Sequence, residues 1–152
     1  MLFDKEIIIL QQENASSKEA VLKELAQCFK AEDLVTEQFI EGVINREQDF
    51  PTGLIVNDIG IAIPHTDSDK VKQSQIGFMS LKEPVAFQAM DGSKKLVPVR
   101  LVFMLGLKEA HEQLDILRKL MDLIQKQTVL EALLSCTNKE DYLNIIRTEN
   151  LI

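Results

Sequence analysis

Two histidines offer the most versatile chemistry in this 152-residue chain, which contains no others. His65 follows an apolar segment at 59–63 and Pro64, and His111 comes shortly after Gly106, where a leucine-rich stretch begins. We therefore predict that each lies where a strand or helix meets a loop, a common place for functional groups. An imidazole there can act as a general base, a metal ligand or a nucleophile toward phosphorus. A plain surface or core role for either histidine stays open at this point.

Several other chemistries lack the residues that they need. The chain has no H-E-x-x-H, G-x-S-x-G, Walker A or G-x-G-x-x-G sequence. Cys28 and Cys136 are too far apart in sequence to form a C-x-x-C pair, so we interpret both as buried thiols. We expect no metal site and no cofactor. A metal-dependent enzyme is the least favoured function, and a metal analysis of the purified protein would test it.

The net charge and the hydropathy of the chain limit the classes of partner that it can bind. The chain has 17 Lys and Arg against 24 Asp and Glu, a formal net charge of −7, and no basic run. This balance argues against binding to nucleic acid or directly to anionic membranes. The apolar run at 99–107 is interrupted by Arg100 and is shorter than the ~20 residues of a transmembrane helix. The N-terminus, MLFDKEIIIL, is not typical of a signal peptide, so we expect a cytoplasmic protein.

The first third of the chain predicts one strand followed by two helices. The β-branched run at 7–10 is long enough for a strand but not for a helix. A Ser16–Glu19 capping box begins the first helix, and Thr36 caps the second, whose apolar face carries the chain to Arg46. A Pro-Thr-Gly sequence at 51–53 then ends that helix.

Strands predominate on either side of His65. Short strands are predicted at 54–56 and 59–63, before the histidine, and at 74–81, after it. The run at 99–105 is apolar at nearly every position, which is typical of a strand covered on both faces. We therefore place it at the centre of the sheet.

Helices complete the predicted architecture. After Gly106 the pattern becomes helical, and shorter helices follow at 129–134 and 139–147. In the helix that directly follows Gly106, the predicted apolar face consists of Leu114, Leu117, Met121 and Ile124. This order predicts an α/β fold, a mixed sheet of about five strands flanked by helices on both faces. No linker or repeat divides the sequence, so we expect a single domain over residues 1–152.

The motif Gly60-Ile61-Ala62-Ile63-Pro64-His65 carries a resemblance to a known family. Arg46-Glu47 and Thr52-Gly53 precede it, and His111 follows at the head of the leucine-rich helix. In this order and spacing, from about residue 3 to 147, the chain resembles the fructose/mannitol-type enzyme IIA domain of the bacterial sugar phosphotransferase system. The stretch from Leu101 through His111 to LRKLMDLIQ is most similar to the galactitol-type branch.

The resemblance implies a cofactor-free phosphotransferase. In that family the histidine of the A-[IV]-P-H motif accepts a phosphoryl group from the histidine-containing phosphocarrier protein, HPr, and passes it to a cysteine of the IIB component. His65 matches that histidine. His111 and Arg46 match a second histidine and an arginine that lie beside the phosphoryl group in the family. The membrane component IIC recognises the sugar, so this chain would act on it only indirectly.

Three further residues are weaker candidates for binding near the phosphoryl group: Thr52, Thr66 and Asp67. Many family members have Gly directly after the active histidine, whereas this chain has Thr66-Asp67, which leaves the sugar and the local loop shape open. Thr52 equally fits a role in the turn at 51–53, and Asp67 equally fits a cap of the turn that follows it. Arg46 equally fits a partner for its own helix macrodipole.

Two functions therefore compete. The first is a phosphocarrier in sugar uptake, of the galactitol type rather than the fructose or mannitol type. The alternative is a nitrogen-type regulatory enzyme IIA, which controls partner proteins by its phosphorylation state and moves no sugar. Partner identity separates them, because only the first has a cognate IIB whose cysteine becomes phosphorylated.

Overall fold

Five strands form one mixed sheet in the computed structural model, which describes residues 2–151. The strands are β1 (Ile8–Gln12), β2 (Leu54–Val56), β3 (Ile59–Ala62), β4 (Gln75–Gln88) and β5 (Leu96–Gly106). Their order across the sheet is β1-β4-β5-β3-β2. The β1–β4 and β3–β5 pairs are parallel, and the β4–β5 and β2–β3 pairs are antiparallel. The predicted mixed five-stranded sheet is confirmed.

The central position of β5 follows from its sequence. Alternate side chains of β5 enter different cores: Leu101 and Phe103 pack on one face of the sheet, and Val102 and Met104 pack on the other. All four are fully buried. A strand covered on both faces needs apolar residues in both alternating sets, as the run at 99–105 has.

Five helices cover the two faces. They are α1 (Lys18–Ala31), α2 (Phe39–Asp49), α3 (Ala110–Ile124), α4 (Gln127–Ser135) and α5 (Lys139–Thr148). Helices α1 and α2 pack on one face of the sheet, and α3, α4 and α5 pack on the other. A short 3-10 turn, Ser68–Lys70, follows His65. None of the helices within residues 2–151 is long and apolar enough to cross a membrane. Met1 and Ile152, the ends of the predicted 1–152 domain, lie outside the described residues.

Two predicted helix starts were wrong, one by one residue and the other by two. Helix α1 is capped by Ser17, whose hydroxyl accepts a hydrogen bond from the Ala20 N–H at 3.1 Å, and not by Ser16. Helix α2 begins at Phe39 after Gln38, which makes no side-chain cap. The Thr36 hydroxyl accepts from the Gln38 N–H at 3.3 Å and so supports the preceding turn. Adjacent serines and successive polar residues offer several capping alternatives, which the sequence alone does not separate.

Helix α3 buries Ile124 and partly buries Leu117 and Met121, as predicted, but the prediction was wrong for Leu114. Its buried residues are Ile116, Leu120, Leu123 and Ile124. Leu114 is 65% exposed, although it was predicted to line the core. The apolar residues of α3 span about half of the helix circumference, so the i, i+3, i+4 pattern fits two overlapping faces. Cys28 is likewise only half-buried, whereas Cys136 is buried as predicted.

Candidate active site

His65 is anchored beside the central strand. Strand β3 ends at Ala62, but the chain continues along β5: the Leu105 N–H donates to the Pro64 carbonyl at 2.9 Å, and His65 pairs with Leu105 in a parallel bridge. Because β5 is the central strand and is buried throughout 101–106, the backbone that carries His65 rests on the core of the sheet.

Gly60 lets β3 approach β5 closely enough to make this arrangement. A Cβ atom at Gly60 would lie 2.1 Å from the carbonyl oxygen of Pro98, which is backbone and cannot move aside cheaply. The pairing register of β3 and β5 shifts between Gly60 and Ile61, directly next to this close approach. The glycine of the Gly60–His65 motif is therefore a packing requirement of the strand that ends at the histidine.

The ring of His65 is fixed by its own backbone. Its Nδ1 lies 3.0 Å from the carbonyl oxygen of Ile63. A carbonyl oxygen only accepts hydrogen bonds, so Nδ1 carries the proton and Nε2 keeps its lone pair. Burial lowers the pKa of His65 below its usual value, the nearby Arg46 cation acts in the same direction, and the Ile63 carbonyl and Asp67 oppose it. The imidazole is therefore neutral near pH 7, with Nε2 as a nucleophile.

A cavity of about 440 Å³ lies in front of His65. Its lining is predominantly polar and consists of Arg46, His65, Thr66, Asp67, Ser68, Asp69, Ala110 and Gln113. The Arg46 guanidinium lies over the Phe50 ring, 5.1 Å from its centroid, and its Nη1 is 3.7 Å from Asp67 Oδ1. Its Nε is buried without a hydrogen-bond partner among the described residues. Arg46 thus brings a positive charge to the cavity.

Thr66 and Asp67 reach the cavity because the turn after His65 packs against α2. A Cβ atom at Gly42 would lie 2.9 Å from Thr66 Oγ1 and 2.9 Å from Lys70 Cδ, so only a residue without a side chain leaves room there. Thr66 is buried, whereas the Asp67 side chain is 69% exposed. Asp67 Oδ2 lies 3.8 Å from Lys70 Nζ.

Thr52 lies behind the histidine and is not among the residues that line the cavity. It is only 7% exposed. Its hydroxyl donates to Glu47 Oε1 at 2.8 Å and accepts from the Ile63 N–H at 3.0 Å, while its own N–H donates to Glu47 Oε2 at 2.7 Å. Ile63 is the residue whose carbonyl holds the His65 ring. Thr52 therefore positions the segment that carries His65.

Glu47 is the site residue that the sequence analysis missed. It is 2% exposed, and burial raises the pKa of its carboxyl group, against the lowering effect of the two hydrogen bonds from Thr52. A signal was present in the sequence, since Phe39, Val43 and Glu47 are spaced four residues apart and share the apolar face of α2. A carboxylate on a buried face needs hydrogen-bond partners nearby.

His111 is the exposed second residue of α3. It lines a neighbouring cavity of about 530 Å³ together with Ser74, Glu112 and Asp115, among others. The same first turn contributes Ala110 and Gln113 to the cavity in front of His65. The positive end of the α3 macrodipole therefore lies beside that cavity. The structure brings Arg46, Thr66 and Asp67 to His65 and places His111 on the adjoining surface.

The arrangement suits the transfer of a phosphoryl group. Such a transfer needs a positioned nucleophile and favourable charge around the phosphoryl oxygens rather than elaborate covalent machinery. Nε2 of His65 has the free lone pair that a nucleophile needs, and Arg46 and the start of α3 contribute positive potential. Within residues 2–151, no three His, Cys, Asp or Glu side chains are grouped to hold a metal ion.

Comparison with known proteins identifies the family. The family described as phosphoenolpyruvate-dependent sugar phosphotransferase system, EIIA 2, matches residues 1–149 of the chain. The chain belongs to this family. EIIA components are phosphotransferases with a phosphohistidine intermediate, as the resemblance implied.

Individual relatives agree with this membership. The galactitol-specific EIIA component of Escherichia coli K12 is 31% identical over 115 residues, which cover 76% of each chain. A nitrogen regulatory protein of Pseudomonas aeruginosa is 30% identical over 134 residues, 86% of this chain and 82% of that protein. The mannitol enzyme IIA of E. coli, in its complex with phosphorylated enzyme IIB, shares the fold, with a TM-score of 0.77 and 21% identity over 97% of this chain and 98% of that one.

Proposed function

We propose that this chain is a phosphocarrier of a sugar phosphotransferase system, in which Nε2 of His65 takes a phosphoryl group from phospho-HPr and passes it to a cysteine of the cognate IIB component. One observation carries the proposal. The hydrogen bond between His65 Nδ1 and the Ile63 carbonyl leaves Nε2 unprotonated at a cavity that Arg46 also lines. The proposal includes a cytoplasmic location and contact with the membrane component IIC only through IIB.

The chemistry of each step is balanced without a cofactor. In the first step the Nε2 lone pair of His65 forms a bond to phosphorus as the nitrogen–phosphorus bond of the donor breaks, and the electron pair returns to the donor imidazole. In the second step the thiolate of IIB forms a sulfur–phosphorus bond as the bond to Nε2 breaks. The proton on Nδ1 stays in its hydrogen bond with the Ile63 carbonyl throughout.

Arg46 and His111 have supporting roles in this proposal. Arg46 stabilises negative charge on the phosphoryl oxygens, because its guanidinium carries a positive charge at the cavity and its Nη1 lies beyond hydrogen-bond distance from Asp67. His111 lies one residue from Ala110, which lines the cavity, and supports the phosphoryl group from the adjoining surface without receiving it. Thr66 and Asp67 shape the cavity, and Thr52 acts from behind.

Both protein partners dock on one face in this proposal. Two large exposed apolar side chains are near the lining residues: Phe50, 63% exposed, lies under the Arg46 guanidinium, and Leu114, 65% exposed, follows Gln113 in the sequence. Asp67 and Asp69 give the same face a charged rim. In the related mannitol proteins, an enzyme IIA with this fold forms a complex with phosphorylated enzyme IIB. Exposed apolar anchors inside a charged rim fit brief, specific contacts with such partners.

The sugar class rests on similarity alone. The galactitol-specific relative supports transport of the galactitol type, and the nitrogen regulatory relative, of nearly equal identity, supports the regulatory alternative. Incubation of the phosphorylated chain with a galactitol-type IIB separates the two. Transfer of the phosphoryl group to the IIB cysteine supports the transport role, and its retention on the chain supports the regulatory one.

Phosphorylation by phosphoenolpyruvate and the general phosphotransferase proteins tests the proposal. We expect the wild type to be labelled and His65→Ala to remain unlabelled. His111→Ala is the matched variant: it should still become labelled at long times, because its nucleophile is intact. Thermal unfolding of all three proteins checks that each is folded. Label that persists in a folded His65→Ala variant would overturn the assignment.

A further inference from the structure

Asp67 is an anionic residue in a cavity that, under the proposed function, receives an anionic group. Its carboxylate lines the cavity in front of His65. It lies between two cations, with Oδ1 3.7 Å from Arg46 Nη1 and Oδ2 3.8 Å from Lys70 Nζ. Both separations exceed hydrogen-bond length, so the carboxylate is held by charge attraction alone. Such contacts between exposed groups exchange easily for stronger ones.

A phosphoryl group on Nε2 would change the balance around Asp67. The group carries roughly −1.5 to −2 charge at neutral pH, as phosphorylated side chains do. It would share a cavity of about 440 Å³ with the Asp67 carboxylate, which repels it. Both anions also attract the Arg46 guanidinium, which now lies beside Asp67. Asp67 therefore disfavours the phosphorylated form in two ways. It repels the phosphoryl group, and it competes with that group for the Arg46 guanidinium.

We propose that Asp67 destabilises the phosphorylated form of His65 and so shifts the transfer equilibrium toward onward donation. The inference rests on the proposed role of His65 and adds to it a residue that sets how readily the phosphoryl group leaves. No proton moves in the transfer, because Nδ1 keeps its hydrogen bond to Ile63. The equilibrium between donor and acceptor histidines thus depends on the charges around each phosphoryl group.

The opposite role for Asp67 would be to hold Arg46 in place for the phosphoryl group. Two features of the structure argue against it. The 3.7 Å contact is not a hydrogen bond, so it does not fix the direction of the guanidinium. Arg46 is already held by the Phe50 ring, whose centroid is 5.1 Å from the guanidinium carbon.

Asp69 provides a matched control. Asp67 and Asp69 both line the cavity, both are exposed and both interact with Lys70, at 3.8 Å and 3.3 Å. Only Asp67 forms an ion pair with Arg46. Asp67→Asn and Asp69→Asn each remove one negative charge from the same turn, so a difference between them reports on the Arg46 side of the cavity.

The test measures the equilibrium constant between phospho-HPr and the chain at low salt. Exposed charge pairs have modest energies, so we expect Asp67→Asn to shift the equilibrium toward phosphorylated His65 by about two- to fivefold, and Asp69→Asn by less than half as much. The difference should disappear at about 1 M salt, where the screening length is about 3 Å.

The possible outcomes test the proposed function and the role of Asp67 separately. If the wild type takes no phosphoryl group, the proposed function is wrong and this inference falls with it. If the wild type is phosphorylated but Asp67→Asn has no larger effect than Asp69→Asn, only the inference is overturned. A shift of Asp67→Asn away from the phosphorylated form also overturns it, because Asp67 would then be holding Arg46 in place.

Discussion

Consecutive residues at the end of α2 face opposite environments, and the contrast between them organises the site. Glu47 points inward, is 2% exposed and receives two short hydrogen bonds from Thr52. Arg46 points toward the cavity, where its ion pair with Asp67 is long and its Nε has no partner among the described residues. On the inward side, both carboxylate oxygens of Glu47 accept hydrogen bonds from Thr52, whose hydroxyl also accepts one from the Ile63 N–H. The outward side has spare hydrogen-bonding capacity, which a transferred group can use.

The comparison shows how the end of one helix can both hold a nucleophile in one orientation and offer contacts that a transferred group can make and release. A nucleophile must be held in one orientation, whereas the groups that meet a transient phosphoryl group must release it again. In the proposed function, the Glu47–Thr52–Ile63 network performs the first task, and Arg46 and the turn that follows His65 perform the second. Substitutions on the two sides should therefore separate stability from activity.

The largest effect is expected on the inward side, from Glu47→Ala. This variant leaves the Thr52 N–H and hydroxyl without their buried acceptor and opens a void, so we expect a loss of about 2–4 kcal/mol in unfolding free energy. Chemical denaturation measures it. Glu41→Ala, on the exposed side of the same helix, is the control and should change stability by about 0.5 kcal/mol or less. Equal losses for both variants would contradict the inward network.

Whereas Glu47→Ala should mainly lower stability, Arg46→Gln should mainly slow phosphoryl transfer. It removes a cation from the cavity, and we expect phosphoryl transfer through His65 to slow by about a hundredfold, as for the loss of a donor to a developing anion. The unfolding free energy should change by about 1 kcal/mol or less, because the only ion pair of Arg46 among residues 2–151 is long and exposed. Rapid-quench kinetics and denaturation together check this. An Arg46→Gln variant that is both slow and strongly destabilised would contradict the contrast between the inward and outward sides of the helix end.

Thr52→Val tests the link between the two sides. The variant keeps the shape of the side chain but loses the hydroxyl that joins Glu47 to the Ile63 N–H, and we expect a loss of about 1–3 kcal/mol in unfolding free energy. The tautomer ratio of His65, measured by nitrogen NMR, should become more mixed because Ile63 is held less firmly. Thr128→Val, at an exposed position of α4, should alter neither quantity. An unchanged His65 tautomer would show that Thr52 does not position the ring.

The smallest effect concerns pH. Burial lowers the pKa of His65 in the folded chain, so the unfolded chain binds more protons at this site over the range below about 6.5. The neutral ring thus contributes stability that is present above pH 6.5 and is lost as the pH falls through the folded value. The rate of phosphorylation should likewise fall to half its maximum at a pH below 6.5. A rate that falls to half its maximum near pH 6.5 would show that burial does not lower the pKa of His65.

The sequence was informative where local pattern determines structure. The run at 99–105 predicted the central strand because both of its alternating sets are apolar, and the Gly60–His65 motif predicted a histidine after a strand. Other features depend on contacts between distant segments. The spacing of Glu47 placed it on a buried face, but its partner Thr52 lies past the helix end, and the apolar face of α3 is selected by the sheet that it covers. The position of His111 beside a second cavity likewise depends on where α3 docks.

The most direct test of the central claim is to identify the phosphorylated atom. Of the two ring nitrogens of His65, Nδ1 is bonded to the Ile63 carbonyl, so the proposed function places the phosphoryl group on Nε2. Nitrogen–phosphorus coupling in an NMR spectrum of the chain, phosphorylated by its own donor, distinguishes the two ring nitrogens and identifies the residue. The account predicts a single phosphohistidine, with phosphorus on Nε2 of His65. Phosphorus on Nδ1, or on any residue other than His65, would contradict it.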